Sequence, residues 1–298
     1  MIVVRSAGRL GNQLFVVAAL RKLTAQQEPL VLVGFEDLVE SFPGLRGNAH
    51  HIPMPRKHWW RWTLAEKILG FLGFLRIVSV ISSDPRARSL VRSRSVLPLA
   101  VFRGGWCQDE KLIDPDISQA LFSADALDAL SPGTAEMGLL PATQENPVFF
   151  VHIRRGDYLT WPTEEFPAAL PETWYLEGVA RIRDSHPQAQ FLIFSDDEAF
   201  ASEFAKNLES ARAMQVSPAE ALACMTLCTG GILSASSFSW WGAQLASRRS
   251  PGPFFGPLHW ITWGEQRWDA SHSLEDTSFV TWIPVIPSTG QSKKPSRA

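Results

Sequence analysis

The segment of this 298-residue chain with the most chemical content is His152-Ile153-Arg154-Arg155-Gly156-Asp157-Tyr158. It continues an unbroken apolar run, Val148-Phe149-Phe150-Val151, whose β-branched and aromatic residues fit a central strand covered on both faces. Two adjacent arginines at the end of such a strand require an anion, because an unpaired guanidinium in a core is expensive. Successive strand residues point to opposite faces. One of Arg154 and Arg155 therefore aims at a given ligand, while the other pairs with a carboxylate and stiffens the loop. A guanidinium donates bidentate hydrogen bonds and keeps its charge, which suits a diphosphate. Gly156 allows the turn. The plainer reading is an internal Arg–Asp pair that merely closes the loop.

The elements that must position these residues follow from patterning. Ile2-Val3-Val4 reads as a buried strand, Gly8 to Asn12 as a turn, Gln13 to about Ala25 as a helix, and Leu30 to Val33 as a second strand, so the chain opens as βαβ. Residues 44–103 read as mainly helical and irregular. After a Pro- and Gly-containing stretch around 131–147 come the strand ending in Arg154, a helix from Trp174 to Ser185, and the strand Gln190–Phe194 ending in Ser195-Asp196-Asp197. A helix from Pro218 to Leu227, the strand Gly231–Leu233 and the loop Ser234–Ser239 complete the pattern. Three strands thus end in polar loops, and in open α/β sheets ligands bind outside those carboxyl ends. A nucleotide is expected in this second half. The expected domains are residues 1–143 and 144–287, with 288–298 a disordered tail.

Bulk properties narrow the partners. Hydrophobic residues at 45% and charged residues at 19% describe a globular chain. A net charge of -2 and a pI near 6.4 give no general pull toward nucleic acid, so an anion must be held by local arginines. Three cysteines, with Cys224 and Cys228 four apart, fit buried thiols in a reducing compartment better than a disulfide framework or a zinc site. A cytoplasmic location is expected. The longest apolar stretch, Ile68 to Ile81, is too short to span a bilayer. It reads as a core helix; the alternative, suggested by Trp59, Trp60 and Trp62 before it and Arg86, Arg88, Arg92 and Arg94 after it, is peripheral contact with an anionic inner membrane.

Gly8-Arg9-Leu10-Gly11-Asn12-Gln13-Leu14-Phe15, the arginine segment, Phe194-Ser195-Asp196-Asp197 and Ser236-Ser237-Phe238-Ser239-Trp240-Trp241-Gly242-Ala243 together resemble the signatures of the bacterial α-1,2-fucosyltransferases, relatives of the α-1,6- and protein O-fucosyltransferases. Weaker echoes lie in Gly105–Lys111 and Trp282-Ile283-Pro284. The resemblance implies an α/β, GT-B-like fold: two Rossmann-like domains facing a cleft, the C-terminal one binding the nucleotide. It further implies inverting transfer of L-fucose from GDP-fucose to a hydroxyl, O2 of a terminal β-galactoside in an oligosaccharide or surface polysaccharide. No cofactor and no metal are expected, the basic residues replacing a cation.

By the same resemblance Arg154 holds the departing β-phosphate, Asp196 addresses the guanine edge or the ribose, and Ser236, Ser237 and Phe238 open a helix whose free amides cradle phosphate oxygens. His152, Arg155 and Ser195 belong to the same donor site. Arg9, Gly11, Asn12 and Gln13 approach the donor from the N-terminal domain. Plainer roles stand beside these: a helix cap for Asp196 or Asp197, and an N-terminal cap and first turn for Asn12 and Gln13. Paired aspartates beside a diphosphate can also hold magnesium. The base that takes the acceptor proton is Asp157, Glu164 or Glu165, or is dispensable; for Asp157 the favoured reading is a structural one, as the partner of Arg155.

The chain departs from the family in carrying Ala235 where Asn is usual, Gly230-Gly231 where a His-Asn pair is common, and Val16 where Gln is common. Rival readings are transfer of another GDP-sugar or to another hydroxyl, a non-catalytic glycan-binding module built on the 12 tryptophans, and an NAD-dependent oxidoreductase, which the missing GxGxxG disfavours.

Overall fold

The computed structural model describes residues 1–6, 8–24, 28–42, 49–54, 59–84, 86–113, 117, 146–164, 167–258, 274 and 277–285. The expected tail and Glu165 lie outside the described residues. The chain divides into two compact units, residues 1–126 and 127–298.

The first unit begins β1 (Ile2–Arg5), α1 (Leu10–Thr24), β2 (Leu30–Val33), α2 (Glu36–Ser41) and β3 (His50–Ile52). It continues through α3 (Trp59–Phe74), β4 (Ser79–Asp84), β5 (Ser89–Arg92) and β6 (Ala100–Phe102). Its sheet runs β3-β2-β1-β6-β4-β5, parallel except for the antiparallel β4–β5 pair. Helix α1 starts three residues earlier than the sequence suggests. It is buried from Leu10 to Leu20 apart from Asn12, which explains its nearly unbroken apolar composition. Val16 is buried within it, so the loss of a glutamine there costs no surface contact.

The stretch 44–103 departs from expectation. Four strands lie in it, and they escape a pattern search because all are short and three of them mix serine, histidine or charge with apolar residues. The apolar run Ile68–Ile81 is likewise not one core helix. It ends α3, turns at Arg76, which sits at φ 58°, and re-enters the sheet as β4. Nor does α3 bury its large side chains: Trp60, Leu64, Ile68, Phe71 and Phe74 are exposed. The small residues of α3 face the sheet instead. A Cβ on Gly73 would come within 2.5 Å of Val80, and one on Gly70 within 2.8 Å of Arg103.

The second unit runs β7 (Val148–Ile153), α4 (Glu172–Ser185), β8 (Gln190–Ser195), α5 (Glu198–Lys206), β9 (Ala211–Ala213), α6 (Pro218–Thr226), β10 (Gly230–Ile232), α7 (Ser237–Ser247), β11 (Phe254–Pro257) and β12 (Thr281–Ile283). All six strands are parallel in the order β12-β11-β10-β7-β8-β9. After β7 the chain lays down two strands, β8 and β9, to one side, then three, β10 to β12, to the other. The order reverses between β7 and β10, and such a switch point opens a crevice at the strand ends. Every residue of β7 is buried, as its apolar run requires.

Gly230 and Gly231 pass too close to their neighbours to carry a side chain. A Cβ on Gly230 would lie 2.1 Å from the Pro253 carbonyl oxygen, and one on Gly231 2.4 Å from the Phe150 ring. The space a polar pair would need is thus filled by Phe150, Phe149 and the backbone before β11. Gly230→Ala is expected to lower stability by about 3 kcal/mol, since a backbone carbonyl cannot give way as a rotamer can; urea unfolding measures it.

Candidate active site

Six consecutive register pairs join β7 to β8, from Val148 opposite Gln190 to Ile153 opposite Ser195. Arg154 therefore leaves its strand level with Asp196. The Asp196 carboxylate accepts from both residues of the arginine pair: Oδ1 takes the Arg155 backbone N–H at 2.8 Å, and Oδ2 pairs with Arg154 Nη1 at 2.7 Å. Gly156 lies so near that a Cβ there would stand 2.5 Å from Asp196 Oδ2. A close approach, rather than an unusual turn, thus accounts for glycine here.

Each guanidinium is held from a second side. Arg154 Nη2 also donates to Asp157 Oδ1, and the Arg154 guanidinium lies 5.3 Å from the centre of the Tyr158 ring. Arg155 Nε donates to Asp197 Oδ2 at 3.1 Å, and its guanidinium packs 4.0 Å over Phe200. The division into one arginine for a ligand and one for the frame is compatible with this geometry, but the partners differ from those expected. Asp157 pairs with Arg154, not with Arg155; the residue that stiffens Arg155 is Asp197, because the register carries the β8 loop alongside. Asp197 also caps α5, accepting from the Phe200 N–H at 3.0 Å. That hydrogen bond, aided by Arg155, holds its carboxyl below the ordinary range. Both Asp196 oxygens accept from the arginine loop. Ser195 Oγ accepts from the Asp197 N–H at 3.0 Å and closes the turn.

The Asp157 partner is the weaker of the two on Arg154. Its side chain is 55% exposed against 23% for Asp196, and an exposed ion pair is worth about 0–1 kcal/mol. An incoming anion can displace Asp157 at small cost while Asp196 keeps the guanidinium aimed.

Across the switch point, His152 Nδ1 and Ser234 Oγ lie 2.7 Å apart, and the imidazole packs against Phe238 with centroids 5.3 Å apart. His152 is buried, so it braces the loops after β7 and β10. Burial, with Arg154 adding to it, pushes its pKa down to about 3, so the ring is neutral near pH 7. Ser236 caps α7, accepting from the Phe238 N–H at 3.3 Å, and Ser239 ties the loop by donating to the carbonyls of Ser234 and Ser236. The backbone N–H groups at the start of a helix suit an anion, and a switch point leaves room for one. Ser237 and Phe238 stand half-buried at that start, and Ala235 is buried just before it. Trp174 Nε1 donates to the Leu233 carbonyl at 3.1 Å and fixes the loop from α4.

In the first unit, Gly8 sits at φ 79°, where a Cβ would meet Asn12 Nδ2 at 2.3 Å, and Arg9 is exposed. Asn12 is the third residue of α1 rather than its cap, and its Oδ1 accepts from Gln108 at 2.8 Å. Gln13 is turned inward. It is buried, with Nε2 donating to Ser6 and Gly8 and Oε1 accepting from the Leu38 N–H at 3.0 Å, so it shapes the loop from within. Gly11 is buried in the first turn of α1. Glu164 is exposed. Phe200 and Trp174 are site neighbours to which the sequence gives no pointer; Tyr158 and Ser234 lie inside segments the sequence singles out, but without a role of their own. Cys107, Cys224 and Cys228 are free and buried. Among the described residues, no group of three or more His, Cys, Asp or Glu gathers as a metal site, and no helix is long and apolar enough to cross a membrane.

Residues 133–251 match the profile of Glycosyl transferase family 11, so the resemblance read from the motifs holds over this stretch. The chain is 28% identical over 138 residues to the O-antigen biosynthesis glycosyltransferase WbnK of Escherichia coli, covering 45% of this chain and 43% of that protein. It is 30% identical over 105 residues to the galactoside 2-alpha-L-fucosyltransferase SEC1 of Bos taurus, covering 32% and 28%. The chain thus spans less than half the length of these curated relatives. A solved structure, the glycosyl transferase family 9 protein from Veillonella parvula, superposes with a TM-score of 0.53 at 10% identity over 96% of this chain and 87% of that one, a likeness of fold alone.

The neutral, buried His152 makes stability pH-dependent. Its folded pKa lies below its unfolded value of about 6.5, so between those values the unfolded chain binds a proton that the native state refuses. Stability falls as pH drops through that window. The loss from pH 7 to 5 is expected to be about 2 kcal/mol smaller in His152→Gln, read by urea unfolding at each pH.

Proposed function

We propose that the protein is an inverting fucosyltransferase that moves L-fucose from GDP-fucose to O2 of a terminal β-galactoside without a metal ion. The observation that carries this reading is Arg154 at the switch point, its guanidinium aimed by Asp196, beside the loop that opens α7. The family 11 match and the name of the bovine relative support fucose and the linkage; the name of the bacterial relative supports a surface-polysaccharide acceptor.

In this reading GDP lies over the carboxyl ends of β7 and β10. The diphosphate displaces Asp157 from Arg154 and takes the amides at the start of α7. The acceptor oxygen attacks the anomeric carbon from the face opposite the nucleotide, forming the new C–O bond as the bond to the β-phosphate oxygen breaks. Charge gathers on the departing GDP, and Arg154 stabilises it more in the transition state than in the bound donor. The acceptor proton goes to a carboxylate, Asp157 once freed from Arg154 or Glu164 on the following loop, or to solvent as the bond forms. Asp196 and Asp197 already accept from the arginines, which supports leaving-group stabilisation by guanidinium in place of a cation.

Arg154→Lys, which keeps the charge and loses the fork, is expected to lower kcat by about 100-fold with GDP-fucose and a β-galactoside acceptor, followed by GDP release and product NMR. No transfer by the wild type from GDP-fucose to any galactoside would overturn the assignment. Asp157→Asn separates its two roles: GDP affinity within about threefold of wild type with unchanged turnover removes it as base. Turnover is expected to be unaffected by excess chelator, and activity lost in chelator and restored by Mg²⁺ would refute the metal-free part.

A further inference from the structure

Helix α3 presents one apolar face outward. Trp60, Leu64, Ile68, Phe71, Phe74 and Leu75 are between 49% and 83% exposed, and at roughly 100° per residue they fall on a single face. Beside the end of the helix the surface continues into Val96 and Leu97, whose N–H groups donate to the carbonyls of Arg76 and Ile77 and which are also exposed. Arg61 and Lys67 share the outward face. Glu66, the helix's sole carboxylate, is turned the other way to pair with Arg5 at 2.9 Å.

The charge of the surrounding chain is equally one-sided. Residues 41–108 contain eleven Lys and Arg against two carboxylates, Glu66 and Asp84, a formal +9 in a chain whose total is -2. The remainder therefore carries -11. A contiguous apolar face that carries Arg61 and Lys67, on a helix about 24 Å long that is too short to span a bilayer and within a segment of net positive charge, matches the chemistry of one partner.

We propose that the outward face of α3 docks on an anionic lipid bilayer, the helix lying in the plane of the interface with Trp60, Phe71 and Phe74 inserted and Arg61 and Lys67 at the headgroups. A second copy of the chain fits less well, because a two-fold contact on this face would set two positive segments against each other. The proposal is independent of the donor reading, since its test involves no turnover.

The test is flotation of the full chain with vesicles of phosphatidylcholine alone and of phosphatidylcholine mixed equally with phosphatidylglycerol. The wild type is expected to bind the mixed vesicles at least about tenfold better than the neutral ones, less so in high salt. Phe71→Asp with Phe74→Asp is expected to reduce that binding at least about tenfold while keeping the wild-type urea midpoint, both side chains being exposed. If that pair fails to fold, Arg61→Glu with Lys67→Glu must abolish the preference for phosphatidylglycerol. Absence of wild-type binding, undiminished binding by folded variants, or a wild-type dimer that the Phe substitutions split and that ignores vesicles would each overturn the proposal.

Discussion

A single carboxylate organises the second unit. Asp196 grips the backbone of one arginine and the guanidinium of the other, and it can do so because β7 and β8 stay in register along their whole length. A one-residue slip would turn Arg154 to the opposite face and take its guanidinium away from Asp196. The apolar strand interior and the polar loop chemistry are therefore one arrangement: hydrophobic burial sets the register, and the register sets the ion pairs. His152 and Ser234 repeat the logic on the other side of β7, joining the loops that flank the switch point.

The magnitudes explain why such a site holds its arginines before any ligand arrives. Two guanidiniums meet three carboxylates, and the pairings are unequal. The half-buried Asp196 and the helix-capping Asp197 act as frame, whereas the exposed Asp157 contributes little to stability and is free to leave. Preorganisation is achieved without committing the guanidinium to a pair that a ligand could not break.

Much of this was legible in the sequence where the signal is local. The β7 run, the helix after Gly8 and the arginine pair needing an anion follow from residue type and spacing within a dozen positions. The partners of those arginines were not legible, since Asp157 is adjacent in sequence and Asp197 becomes adjacent only through strand register. The short strands between residues 50 and 102 were missed because serine-rich edges carry no clean alternation. Helix α3 was misjudged for a different reason: apolar composition reports a tendency to leave water, not the direction in which the helix is turned. Gly70 and Gly73 are what let it lie close to the sheet with Trp60, Phe71 and Phe74 outward.

The contact between Gly156 and Asp196 also bears on how this surface can change over time. The two positions sit 40 residues apart in sequence, yet a methyl group at 156 would stand 2.5 Å from the Asp196 carboxylate, which would have to turn aside and loosen its hold on Arg154 and on the Arg155 backbone. The cost of a side chain at 156 is therefore felt at the arginines rather than in the packing of the loop itself. The two loops are coupled through this one contact, so a change at either position alters what the other can carry.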